Sequence, residues 1–312
     1  MALLAEYALT PGVFDVTAYS GEEVCGLHLQ ALKEVLLQEG LVRDLRNGEW
    51  GKLFLDARRH WHRRGKELLK KLVSQNRLVP VNSARPDSPD TDCAWCEEAL
   101  ASHQFLPLTG IVVSDLAASP YAGNPLVSSV TRIGNAAWWQ ARSPSLRLSR
   151  TIADYIGALD LFLRYSNSLM FIDPHLDPSR YSYSTFSQII QAIGSRRPAP
   201  RIEVHRVCYR GSGPSRVILS PIEVENVFRP SLSPALSTLG LTAEVFVWDD
   251  FHYRCLITNL AGVLLDNGFD VSGAATASTL WSRLGRDVRD DVQREFDPAS
   301  HRHTLRHRFT LP

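Results

Sequence analysis

From Leu146 to Leu265, stretches with the apolar spacing of a helix alternate with short runs of strand type. That alternation restricts this part of the chain to α/β architectures. Ile152, Tyr155, Ile156, Leu159, Phe162 and Leu163 share one helical face, and Ser168-Leu-Met-Phe-Ile reads as a strand closing on the polar Asp173-Pro-His175. Thr185–Ile193 has helical spacing, Arg201–Val207 alternates as a strand does, Gly211-Ser-Gly-Pro-Ser is a loop, and Pro221–Leu239 holds another helix. Ala243–Trp248, Arg254–Thr258 and Gly262–Leu265 then follow as strands in quick succession.

The preceding part is less regular. Val24, Leu27, Leu29, Leu32, Val35 and Leu36 predict a helix ending near Gly40, which stands where a C-cap glycine would. A second helical run is expected from Gly51 to about Ser74. Leu53, Phe54, Ala57, Trp61, Leu68, Leu69 and Leu72 form its apolar face, surrounded by Arg58, Arg59, Arg63, Arg64, Lys66, Lys70 and Lys71. Arginine and lysine stems that cover apolar surface explain such a face without a ligand, and contact with a phosphate backbone is the competing use. The Pro-, Ser- and Asp-rich segment after Val81 is a loop, Thr91 caps a short helix, and Gly110-Ile-Val-Val-Ser is a buried strand.

The expected fold class is therefore α/β: a mixed α/β N-terminal domain over residues 1–145, an α/β/α sandwich over 146–285, and a basic strand or tail over 286–312. The boundary is placed in the Ser-, Asn-, Gly- and Pro-rich stretch around Trp138-Trp139.

With 34 Lys+Arg against 33 Asp+Glu, the formal charge of +1 provides no global field toward polyanions, so a phosphate-binding surface has to be a local cluster. No apolar run approaches the roughly 20 residues that span a bilayer. The first residues lack the basic and apolar regions of a signal peptide, so a cytoplasmic protein with no membrane partner is expected. The five cysteines are scattered and odd in number, and disulfides are not expected. Cys93-x-x-Cys96 has the spacing of half a zinc site, with His60, His62 and His103 as further donors, but the second cysteine pair is missing and no metal is expected. No cofactor is expected either. The 211–215 loop lacks the Lys-Ser/Thr ending of a phosphate loop, and no Gly-x-Ser-x-Gly follows a strand.

The order strand, helix, strand, helix, strand, hairpin, with His252-Tyr-Arg254 at the entry to the hairpin, resembles the phospholipase D superfamily over about residues 146–285. In that family a His, one residue, a Lys, four residues and an Asp precede a glycine-containing strand. Here the string is His252-Tyr-Arg254-Cys-Leu-Ile-Thr-Asn259, then Gly262-Val-Leu-Leu and Gly268-Phe-Asp270. It is closer to the His-x-Arg version in the C-terminal domain of microtubule-interacting and trafficking (MIT) proteins and their bacterial relatives, where the preceding strand ends in Asp-Pro-Tyr, echoed by Asp173-Pro-His175.

The resemblance implies metal-independent phosphodiester chemistry in which one imidazole attacks phosphorus and a second protonates the leaving oxygen. It makes His252 nucleophile or general acid and Arg254 the clamp on the non-bridging oxygens. Asn259 stands where the family has an Asp and supplies no charge to an imidazolium. The resemblance also implies DNA or RNA as partner, a place in a mobile-element or phage-defence system, and a homodimer or larger complex. One motif carries one imidazole, so the second comes from another copy of His252 or from His175, His205 or the segment His301–Arg308. Along 301–311 the residues alternate, with Arg302, Arg306 and Arg308 on one face. Such a strand lines a phosphate groove or protects a sheet edge by charge. Asp173, His175, His205, Arg306 and Arg308 are thus the expected substrate-binding residues, beside His252, Arg254 and Asn259. The competing reading is a catalytically inactive scaffold of the same fold that binds a protein or nucleic acid. Near-neutral charge and the lack of a basic amphipathic anchor argue against membrane-surface binding.

Overall fold

The computed structural model describes residues 3–56, 59–211 and 213–312, so Ala57 and Arg58 of the expected basic helix and Ser212 of the glycine loop lie outside the described residues. The chain has an α/β fold and divides into two compact units, Leu3–Arg142 and Ser143–Pro312.

The first unit runs β1 (Ala5–Leu9), α1 (Glu22–Gln38), β2 (Gly40–Asp44), α2 (Leu45–Lys52), α3 (Arg63–Ser74), β3 (Leu78–Pro80), α4 (Asp92–Phe105), β4 (Gly110–Val113), α5 (Asp115–Ala118), β5 (Val127–Ser129) and α6 (Ala137–Gln140). Its strands form one parallel sheet in the order β3-β2-β1-β4-β5. Every residue of β1, β2 and β4 is buried, as a sheet covered by helices on both faces requires. Besides Asp44 at the end of β2, the charges inside it are Glu6 and Arg43. They meet at 2.7 Å, and Arg43 also donates to Ser102 Oγ and the Leu106 carbonyl, the extra bonds a buried ion pair needs.

Two expectations change here. Gly40 opens β2 instead of terminating a helix in the left-handed region, and a Cβ there would lie 2.8 Å from Leu36 Cα. The helix expected from Gly51 to Ser74 is broken. α2 stops at Lys52, a 3-10 turn covers Leu53–Leu55, and α3 starts at Arg63 with His62 Nδ1 accepting from the Arg64 amide. Phe54 and Trp61, which read as one helical face, instead flank the break and pack together near Phe14, with centroids 4.6 Å apart for Phe54–Trp61 and 4.9 Å for Phe14–Phe54. Cys93 and Cys96 both lie on α4, where burial pushes the Cys96 thiol up to about 12.

The second unit runs β6 (Ser145–Ser149), α7 (Ile152–Tyr165), β7 (Ser168–Ile172), α8 (Phe186–Ala192), β8 (Arg201–Val207), β9 (Tyr209–Arg210), β10 (Val217–Ile218), α9 (Pro221–Leu239), β11 (Ala243–Trp248), β12 (Cys255–Thr258), β13 (Gly262–Leu265), β14 (Ser278–Arg283), α10 (Arg286–Glu295) and β15 (Leu305–Leu311). Apart from the small β9–β10 hairpin, the strands form one mixed sheet in the order β15-β11-β8-β7-β12-β13-β14-β6. β7, β8 and β11 are parallel, while β12 runs against β7 with Cys255 opposite Ile172. On one face Ile172, Val207, Phe246, Trp248 and Ile257 pack with Val292 and Phe296 from α10 and its C-terminus. On the other, Phe171 meets Phe186 of α8 and Phe269 edge-on, and the Arg206 guanidinium lies 5.9 Å from the Phe228 ring of α9. Residues 286–312, expected as a strand or tail, contain α10 ahead of β15, and β15 pairs antiparallel with β11 as the sheet edge.

Candidate functional site

Parallel strands that end together leave their following loops at one rim, and an antiparallel neighbour starts at that same rim. The segments after β7 (Asp173–Arg180) and β8 (Cys208–Ser220) therefore share an end of the sheet with Asp249–Arg254, which enters β12. The β7–β12 ladder ends with Cys255 opposite Ile172, and just beyond it Arg254 comes within electrostatic reach of both Asp173 and His175.

Asp173 anchors this rim. Its side chain is fully buried and accepts from the His175 amide at 3.0 Å, the Phe269 amide at 3.1 Å and the Tyr183 hydroxyl at 3.1 Å. Gly268 lets Asp173 and Arg254 come together. Its φ is 70°, and a Cβ there would stand 2.1 Å from Asp173 Oδ2 and 3.1 Å from Arg254 Cδ. Arg254 also acts on Asp270, a carboxylate paired with Arg150 at 2.5 Å.

Burial raises the Asp173 carboxyl to about 6, against the pull of the two amides and Arg254. A carboxyl that holds its proton more tightly folded than unfolded favours the folded state at acid pH. Between roughly pH 4 and 6 the native chain carries the extra proton, so stability declines as pH rises through that window, by about 3 kcal/mol in all. Carbon-13 NMR of the Asp173 carboxyl should give a midpoint near 6, whereas a midpoint near 4 would contradict the described burial.

His175 is half-buried, and burial followed by the charges of Arg254, Arg180, Arg206 and Arg216 lowers its pKa, keeping the ring neutral at pH 7. Asp177 accepts from Ser179 and, at 2.9 Å, from Arg210 Nε. These bonds and the charge of Arg206 outweigh burial and hold its carboxyl below the usual range. Arg216 Nη1 lies 3.1 Å from Asp250 Oδ2, and Arg216 stacks over Tyr209 at 4.2 Å. His252 is exposed, and with the Tyr209 hydroxyl and Arg216 it helps hold Asp250 low.

Of the residues expected at the site, the structure brings Asp173, His175 and Arg254 together and presents His252 in the same rim segment. The other four stand outside this group. His205 has no exposed surface; Nδ1 accepts from Trp248 Nε1 at 3.0 Å and the ring stacks on Phe246, on the face covered by α10. Asn259 sits at the other end of β12, its Oδ1 accepting from the Asn167 amide at 2.7 Å. Five residues of extended chain separate it from Arg254, about 17 Å. Arg308 is ion-paired with Glu244 and lies 5.0 Å over Phe246. It lines a cavity of about 870 Å³ with Ser168 and Arg201, at the starts of β7 and β8. Arg306 is exposed beside a cavity of about 320 Å³ lined by Cys208, Leu219, Val224 and Val247.

Sequence reasoning missed Arg180, Arg206, Arg210 and Arg216. For three of them the signal is an arginine at an edge of a turn that follows a strand: Arg210 and Arg216 bracket the 211–215 loop, and Arg180 closes Asp177-Pro-Ser, whereas Arg206 lies within β8.

No protein-family model and no curated protein matches the chain. Among solved structures, a polyphosphate kinase from Porphyromonas gingivalis aligns with 49% of this chain and 25% of its own length, at 12% identity and a TM-score of 0.33. The chain thus spans a quarter of that enzyme. An archaeal chromatin protein described as showing a novel mode of DNA binding aligns over 77% of this chain and 82% of its own, at 11% identity and a TM-score of 0.31. Both likenesses are slight.

Proposed function

We propose that the second unit is a phospholipase D-like module that holds a nucleic-acid phosphodiester at the carboxyl rim of β7, β8 and β11 and cleaves it without metal. The observation that carries this reading is the convergence of Arg254 and His175 on the buried Asp173, in the rim segment that also exposes His252. Arg254 is a permanent cation with a planar fork suited to two non-bridging phosphate oxygens. Its Cδ lies close against Gly268, and the charge of Asp173 is near, which restricts its stem.

His175, whose pKa is lowered first by burial and then by the guanidinium charges around it, is suited to attack phosphorus. His252, beside Asp250, is suited to carry the proton that the leaving oxygen takes. The P–N bond forms as the P–O bond breaks, and water then cleaves the phosphohistidine, returning the proton. With both imidazoles in one chain, the site does not need a second copy. Asn259 has no part in it.

The test is incubation of the purified protein with single- and double-stranded DNA and RNA in EDTA, beside Arg254→Gln. The wild type is expected to cleave. Loss of a charge-assisted clamp should weaken substrate binding about 10- to 100-fold. Salt-sensitive binding by wild type without cleavage would establish the inactive-scaffold reading instead.

A further inference from the structure

Beyond Arg254, the rim carries a second group of cations that the proposed chemistry uses only through their field at His175 and not as contacts to substrate. Arg206 is 1% exposed. Its Nε donates to the Val207 carbonyl at 2.9 Å and Nη2 to the Tyr209 carbonyl at 3.3 Å, while no described residue accepts from the buried Nη1. A buried guanidinium nitrogen without an acceptor is costly unless a ligand supplies one. Arg210 and Arg216 flank it on the β9–β10 hairpin, where Arg210 is opposite Val217, and Arg180 approaches Asp177 at 3.9 Å from the neighbouring loop. Asp177 pairs with Arg210 and Asp250 with Arg216, while Asp173 acts on Arg206 and Glu223 on Arg210 from farther off. Exposed aromatic rings adjoin the cations in sequence: Tyr181, 78% exposed, follows Arg180, and Tyr253, 45% exposed, precedes Arg254. Cations alternating with exposed rings suit a strand whose phosphates bind the cations while its bases stack.

Resting on the reading above, we propose that Arg206, Arg216 and Arg180 form a second phosphate subsite and that Tyr181 and Tyr253 are base platforms, so that the ligand is a single-stranded polynucleotide engaged through at least two consecutive phosphates. An isolated diester or a lipid headgroup fills only the Arg254 position. A bare polyphosphate chain would satisfy the cations and leave the rings idle.

Fluorescence anisotropy on the full chain tests this with three probes: a single-stranded tetranucleotide, a dinucleoside monophosphate, and inorganic tetraphosphate as competitor. Arg216→Gln is expected to weaken tetranucleotide binding about tenfold and to reduce its log–log salt slope by about 0.7, one phosphate contact, while leaving the dinucleoside monophosphate unchanged. Tyr181→Ala should cost roughly five- to tenfold on the tetranucleotide alone. Both residues are at the surface, and an unchanged melting curve checks the fold. The subsite is overturned if Arg216→Gln leaves the slope unaltered or weakens both nucleotide probes equally. The polynucleotide assignment is overturned if tetraphosphate competes as well as the tetranucleotide. If wild type binds no probe, the function proposed above falls with it, an outcome distinct from failure of the subsite alone.

Discussion

His252→Ala is expected to slow cleavage of an unactivated nucleic-acid phosphodiester in EDTA by about 10²- to 10⁴-fold, the usual contribution of a positioned proton donor. The size of the loss should depend on the leaving group. A ribose or deoxyribose oxygen leaves poorly as an alkoxide and needs a proton, the one the proposed mechanism assigns to His252. A p-nitrophenolate leaves without one, so with a p-nitrophenyl phosphodiester the same variant should lose little. His175→Ala removes the nucleophile and should abolish both reactions, together with the acid-labile phosphohistidine recovered after rapid quenching. Equal losses on the two substrates for His252→Ala would reverse the two roles and make His252 the attacking ring. The choice of attacking ring follows from surroundings: burial, and then the guanidinium charges that face His175, push its proton off.

The two arms of the site were legible because each lies within a few residues of a recognisable strand. Asp173-Pro-His175 ends an apolar run, and His252-Tyr-Arg254 precedes another. What brings them together is strand order, since β12 pairs with β7 although more than eighty residues separate them in the chain, and no local pattern encodes that. The same reason hides the four additional arginines, which come from three segments that meet only after β7, β8 and their hairpin are placed. His205 misled because an alternating strand shows which residues share a face and not which face a helix will cover. Asn259 misled because a motif match says nothing of distance along an extended strand. In the first unit, β1 and β2 are short strands abutting helix-like stretches, and the Glu6–Arg43 pair interrupts the apolar run by which a doubly covered strand is recognised. α10 escaped notice because Arg and Asp dominate it, with Val292 its one buried residue.

Gly268→Ala should destabilise the second unit by roughly 4 kcal/mol, from about 1–2 for a side chain in the left-handed region and about 1–3 for overpacking. For a unit of this size that is a fall in melting temperature of about 8–16 °C. Most of the penalty arises because the added methyl would stand 2.1 Å from Asp173 Oδ2, and that oxygen is bound to the Phe269 amide at 3.1 Å, so it cannot swing clear without breaking the bond. The carboxylate must move or the 266–270 turn must open. Either displacement separates Asp173 from Arg254, whose Cδ faces the same methyl at 3.1 Å. Fold and function are coupled at this glycine, and the variant should lose phosphodiester binding even at temperatures where it stays folded. Thermal melting followed by circular dichroism, with oligonucleotide anisotropy at 10 °C, separates the two effects. A variant that melts early yet binds as wild type would show that Arg254 is held by something other than Asp173. A variant with unchanged melting would mean that the turn is not packed as described. Asn267→Ala, one residue earlier, provides the control: it changes the same turn without adding an atom between the carboxylate and the guanidinium.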